Sequence, residues 1–135
     1  MVLSAGRNTA EIRDGRTLVL PVKANTKIFE GSLVAMDSTG YAIPGKAGAG
    51  LLAAGRAEEY VDNTGAGGTN GARTVRVRRG VFKFNNDTED AVTAQDILKD
   101  CYILDDETVT MASEGNSKAG KVIGLDDGEV IVEIL

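Results

Sequence analysis

Apolar and polar positions alternate along much of the chain from Arg16 onward, a pattern that predicts strands rather than helices. Thr74 to Arg78 is the clearest case, with Val75 and Val77 on one face and Arg76 and Arg78 on the other. The C-terminal segment repeats it, with Val130, Val132 and Ile134 forming one apolar face. Extended segments are also expected over Thr17 to Val22, from Ile28 through Leu33 to Met36, over Tyr41 to Ile43, Leu51 to Val61 and Val81 to Phe84. Two hairpins follow. Cys101 to Leu104 returns as Thr108 to Met111 around Asp105-Asp106-Glu107, and Lys121 to Leu125 returns as Glu129 to Leu135 around Asp126-Asp127-Gly128.

Punctuation supports the same reading. Pro21 marks an edge strand or a break in pairing, Gly55 a bulge or kink, and Arg79-Gly80 a corner. Asp37-Ser38-Thr39-Gly40 and the polar stretch Asn85 to Asp90 read as turns. Gly45 to Gly50 is a small-residue loop, and Asp62 to Ala72, with four Gly and two Asn, is the most flexible-looking surface loop. One short helix, Ala94 to Lys99, is expected behind a Thr93 cap, with Asp96 placed near a capping-box acid. Strand signals spaced about 8–12 residues apart, with hardly a helical period between them, argue for an all-β barrel or sandwich. Residues 1–15 show no sustained period and read as a flexible N-terminal arm. Neither a repeat nor a linker divides residues 16–135, so they read as one β-rich domain.

Composition narrows the core. Aromatics are 4 % of 135 residues against 42 % hydrophobic, so Val, Ile, Leu and Ala must fill it. No apolar run approaches the roughly 18–20 residues of a membrane span, and the N-terminus lacks the shape of a secretory signal. Neither membrane insertion nor export is expected. The single Cys101 permits no intrachain disulfide, which suits a reducing compartment or indifference to redox.

Charge is segregated. Residues 1–83 carry 12 Lys and Arg against 7 Asp and Glu, whereas residues 84–135 carry 3 against 13. Such asymmetry suits an acidic partner or two complementary surfaces of a self-associating protein. The densest basic stretch is Arg73, Arg76, Arg78, Arg79 and Lys83, which reads either as a solvated outer face or as a contact patch. No aromatic platform is interleaved with them and the net charge is −5, so direct nucleic-acid binding is not expected.

Several features imitate chemistry. Gly40 to Lys46 meets the first seven positions of a phosphate-binding loop, but Ala47 stands where the Mg²⁺-binding hydroxyl belongs and no helix-forming sequence follows. Asp87, Glu89 and Asp90 lack the spacing of a calcium loop. The adjacent pairs Asp105/Asp106 and Asp126/Asp127 suit turns better than a shared-proton dyad. Cys101 has an acidic neighbour, Asp100, and no activating base, so it reads as structural. With no His in the chain, nothing composes a catalytic constellation, and no enzyme activity, cofactor or metal is expected.

Five stretches, in this order and spacing, carry a resemblance: Arg16 to Val22 running into Lys27 to Met36; Leu52 to Asn63; Val75 to Phe84; Cys101 to Asp106; and Ala119 to Gly124. Together the chain resembles the small capsid cement or decoration proteins of tailed phages and prophages. The resemblance implies a compact, β-tulip-like domain with an extended arm. It also implies a homotrimer on the outside of the phage head that clamps major capsid protein subunits, reaching the virion from the host cytoplasm during assembly. The family brings no catalytic residues. On this reading Arg7, Ile12 and Arg13 of the arm would contact the capsid, and Arg76, Arg78 and Arg79 would meet a sister subunit or the capsid. The alternatives are another phage structural part, such as a head-fibre base or tail component, and a small bacterial ligand-binding β-module.

Overall fold

The computed structural model describes residues 2, 4–10 and 15–135. Among these the chain forms β1 (Thr17–Pro21), β2 (Thr26–Ile28), β3 (Leu33–Met36), β4 (Ala42–Pro44), β5 (Leu52–Ala57), β6 (Val61–Asn63), β7 (Thr74–Arg78), β8 (Gly80–Asn86), β9 (Asp100–Ile103), β10 (Thr108–Thr110), β11 (Lys118–Asp126) and β12 (Glu129–Ile134). The fold is all-β. Five strands make an antiparallel sheet in the order β1-β7-β5-β3-β4, five more close a barrel in the order β10-β8-β12-β11-β9, and β2 pairs with β6 as a ribbon.

The larger sheet curls until its ends nearly meet. Just beyond β1, Val22 bridges Ala42 of β4, and the Lys23 N–H donates to the Ala42 carbonyl at 3.1 Å. Val34, Val75 and Val77 pack inside this curl with Ile28 and Val61 from the ribbon. A second core fills the barrel, with Cys101, Ile103, Val122, Val130 and Val132 among its members. Strand β3 is the wall between the two. Leu33 and Ala35 join the barrel core while Val34 joins the other, which is why this strand is a continuous apolar run rather than an alternation.

Local rules explain the joints. Pro21 sits on the edge strand β1. The Val22 N–H donates to Arg73 and the Arg79 N–H to Arg16, so the even-numbered residues of β1 bond β7 and the imide nitrogen of Pro21 faces the open edge. The β11–β12 hairpin turns on Asp127 (φ 52°) and Gly128 (φ 82°), the left-handed pair that a two-residue turn requires. At Arg79-Gly80 the chain leaves the sheet for the barrel, and the Arg79 N–H donates to the Arg16 carbonyl at 2.7 Å. The register of β3 on β5 slips at Gly55, the expected bulge.

Three expectations need correction. The turn expected from Asn85 starts only after Asn86, because β8 runs on to Asn86, where Asn85 pairs with Glu129 and Thr108 and Asn86 with Val109. The helix over Ala94 to Lys99 is only a 3₁₀ turn, Ala94–Asp96. The Asp96 carboxylate does accept from the Thr93 N–H at 2.8 Å, but Leu98 takes φ 74° and its N–H donates to the Val122 carbonyl. Pairing with β11 therefore unwinds what the cap starts. The Asp62–Ala72 loop is not a free excursion: its first residues form β6, and Asn63 is fully buried. The Asn63 amide nitrogen donates to the carbonyls of Val22, Lys23 and Thr69 at 3.1, 3.0 and 2.8 Å, tying the loop to the β1–β2 connection.

Candidate interaction surface

Alternation along β7 puts Arg76 and Arg78 on the outer face of the curled sheet, with Val75 and Val77 fully buried behind them. Cross-strand register then adds a residue that sequence could not assign. Arg56 of β5 lies directly opposite Arg78 on the same face. Like charges in directly opposed positions repel. Arg56 is relieved by a 2.9 Å ion pair to Glu58 and by the Phe82 ring, whose centroid lies 4.6 Å from its guanidinium carbon. Arg76 is held by Glu59 at 2.8 Å. Arg78 is exposed and has no ion-pair partner among the described residues. Arg79, half-buried, borders a groove of about 540 Å³ with Leu52, Lys118, Lys121 and Leu135. The three arginines singled out from sequence thus have three different settings: one paired, one opposed to another arginine, and one at a groove.

A second exposed cluster is acidic and aromatic. Phe29 and Tyr60 stack at 5.2 Å between ring centroids, and both are more than half exposed. Beside Phe29 lie Glu30, Asp106 and Glu107. The turn that carries the last two is fixed by the Leu33 N–H donating to the Asp106 carbonyl and the Asn85 N–H donating to that of Glu107, both at 2.8 Å. Burial, and then the neighbouring Asp105, push the Asp106 carboxyl above the ordinary aspartate range. Among the described residues no ion pair neutralises Glu30, Asp106 or Glu107. Asp106 and Glu107 are legible in sequence only as a turn, and their meeting with Phe29 and Glu30 comes from packing between segments far apart in sequence.

Arg7 of the arm is exposed, with its guanidinium 3.5 Å from the Thr9 hydroxyl. Residues 2 and 4–10 are all exposed. Ile12 and Arg13 lie outside the described residues.

The features that imitate chemistry have structural occupations. Within the phosphate-loop lookalike, Ala42–Pro44 is strand β4. A Cβ on Gly45 would meet Ile103 and Leu33 at 3.0 Å, so this glycine serves packing. The Asp87 carboxylate accepts from the backbone N–H groups of Glu89 and Asp90 and from the Thr110 hydroxyl, and these bonds hold its pKa below the usual range. Asp105 accepts from the Glu107 N–H at 2.9 Å, an ordinary turn bond. Cys101 is fully buried, and burial pushes its thiol up to about 12. The folded protein is therefore expected to resist a thiol-specific reagent at about pH 8 and to react fully in denaturant. Labelling of the native protein at the rate of a free thiol would contradict that burial.

Comparison with protein-family models, curated proteins and solved structures finds no match to this chain.

Proposed function

We propose that this chain is a capsid decoration protein of a tailed phage or prophage. In this reading it binds the outer surface of the head as a homotrimer and stabilises contacts between major capsid protein subunits. The observation that carries the reading is the resemblance along residues 16–135. Its five stretches fall on β1 to β3, β5 and β6, β7 and β8, β9, and β11, so the likeness lies in framework strands rather than in a loop. The exposed residues 2 and 4–10 and the charged outer face of the curled sheet supply surfaces for such a partner. Decoration needs many modest contacts repeated over a lattice, and a β-body that carries an N-terminal contact segment suits that task.

The arm, through Arg7, Ile12 and Arg13, is assigned to the capsid. Virions separated into heads and tails should carry the protein with the heads, and removal of residues 1–15 should abolish head binding while leaving thermal unfolding unchanged. Recovery with tails would move the protein to another structural part, and full head binding by the truncated chain would return the arm to a passive role. Light scattering at three times the 14.1 kDa chain mass would fit the trimer.

A further inference from the structure

Asn70 is the only asparagine in the chain that is followed by glycine. That dipeptide has a chemistry of its own. With no Cβ to obstruct it, the Gly71 backbone nitrogen can reach Cγ of the Asn70 side chain and close a ring. Both residues are exposed, so water and hydroxide have access to them. The fold nevertheless holds the two reacting atoms on separate tethers. The Gly71 N–H donates to the Val22 carbonyl at 2.9 Å, and Asn70 Oδ1 accepts from the Ala24 N–H at 2.8 Å. The Ala72 N–H closes the turn on the Thr69 carbonyl at 3.1 Å, with Gly71 at φ 77°. The Thr69 carbonyl also accepts from the amide nitrogen of buried Asn63, which donates to Val22 and Lys23 as well. The glycine loop is thus clasped to residues 22–24 at its surface by Asn70 and Gly71 and from within by Asn63.

We propose that Asn70 is a spontaneous modification site, deamidating to aspartate and isoaspartate at a rate set by the opening of this clasp. Hydroxide removes the Gly71 amide proton, and the nitrogen attacks Cγ of Asn70. The Cγ–Nδ2 bond then breaks as the side-chain nitrogen takes a proton from water and leaves as ammonia. Water adds to either carbonyl of the resulting succinimide, opening it to aspartate or to isoaspartate, whose backbone runs through the former side chain. In the closed clasp the Gly71 proton lies on Val22 and the Asn70 carbonyl is drawn to Ala24. Reaction therefore waits for the loop to lift, and its rate follows the open fraction. The products differ in effect. Aspartate keeps an oxygen for the Ala24 N–H. Isoaspartate adds a carbon to the main chain between Thr69 and Ala72, so the turn and the Gly71–Val22 bond lose their register. Modification then releases a loop that ties β6 to the β1–β2 connection. This goes beyond the decoration reading and rests on none of it.

Trypsin releases Ala57 to Arg73 as one peptide, and its fragment masses separate deamidation at Asn70 from deamidation at Asn63. The full chain is held at mildly alkaline pH in buffer, in urea below the unfolding midpoint and in urea above it, and the peptide is followed over time. In the unfolded chain Asn70 should deamidate faster than any other asparagine. In buffer it should react at least about tenfold more slowly, and the rate should climb in urea before the global transition, because the loop opens ahead of the body. Asn63→Leu removes the inner donor of the clasp and should raise the rate in buffer at least about tenfold. Gly55→Ala lowers stability from another strand and should raise it far less. Should Asn63→Leu fail to fold, the wild-type series below the midpoint carries the same test. Equal wild-type rates in buffer and above the midpoint overturn the gate, as does equal acceleration by the two variants. A faster asparagine elsewhere in the unfolded chain overturns the site.

Discussion

Gly55→Ala is expected to destabilise the protein by about 3 kcal/mol or more, among the largest effects of any single methyl addition in the chain. Gly55 has φ +146°, a region that residues with a side chain rarely enter. Space forbids the change as firmly as conformation does. A Cβ there would collide with the carbonyl oxygen of Arg78, lie 2.9 Å from its carbonyl carbon, and sit 3.1 Å from Val77 Cγ1. Backbone cannot swing aside as a side chain can, so β5 must lift from β7. That contact holds together the halves of the curled sheet and the buried Val77. Gly65→Ala is the control, because its φ of +82° carries a conformational cost but nothing lies within 4 Å of the added methyl. It should cost only about 1 kcal/mol. Urea midpoints for the two variants separate the terms. Equal losses would mean that the bulge relaxes, and the close approach to Arg78 would carry no energetic weight.

Most of the fold is legible where one strand face is buried and the other wet. Val75 and Val77 against Arg76 and Arg78, and Val130, Val132 and Ile134 along β12, declare both the strand and its inner face. Asp127-Gly128 declares its hairpin, and Pro21 its edge, because in each case the chemistry is confined to a few neighbouring residues. Legibility stops where a long-range partner decides. The Thr93–Asp96 cap is a sound helix start, yet Leu98 and Lys99 are taken by β11 at Val122, more than twenty residues away. The glycines between Asp62 and Ala72 look like freedom, whereas Asn63 anchors that loop to carbonyls some forty positions earlier. The interaction surface divides in the same way. Arg76 and Arg78 are readable from one strand. Arg56 is not, because the bulge at Gly55 scrambles the parity of β5, and the meeting of Glu30 with Glu107 depends on two turns brought together by the barrel.

Asn63→Asp tests that anchor most severely, since it exchanges one nitrogen for one oxygen and changes almost nothing in volume. The Asn63 amide nitrogen faces three carbonyl oxygens, those of Val22, Lys23 and Thr69, with only two hydrogens to share among them. Its own Oδ1 has no hydrogen-bond partner among the described residues, and the donor must face the carbonyls for the site to hold. A carboxylate at that position would present negative oxygen to all three, within a residue that is 0 % exposed. The expected loss at neutral pH is about 4 kcal/mol or more, the cost of a buried charge together with carbonyls left unpaired. Its dependence on pH has a definite sign. Burial and the facing carbonyls raise the folded-state pKa of the new carboxyl above its unfolded value near 3.9, so the native state binds the proton more tightly. The loss relative to wild type should then be smallest below about pH 4 and should grow as pH rises through the raised pKa. Asn63→Leu removes the donor without introducing charge, and its loss of about 3 kcal/mol should not vary over the same range. Urea unfolding of wild type and both variants at about pH 4 and pH 7 reads the difference directly. A pH-independent loss for Asn63→Asp would mean that its carboxylate escapes to water. The anchor between the glycine loop and the β1–β2 connection would then be a loose contact rather than the closed one that Asn63 makes here.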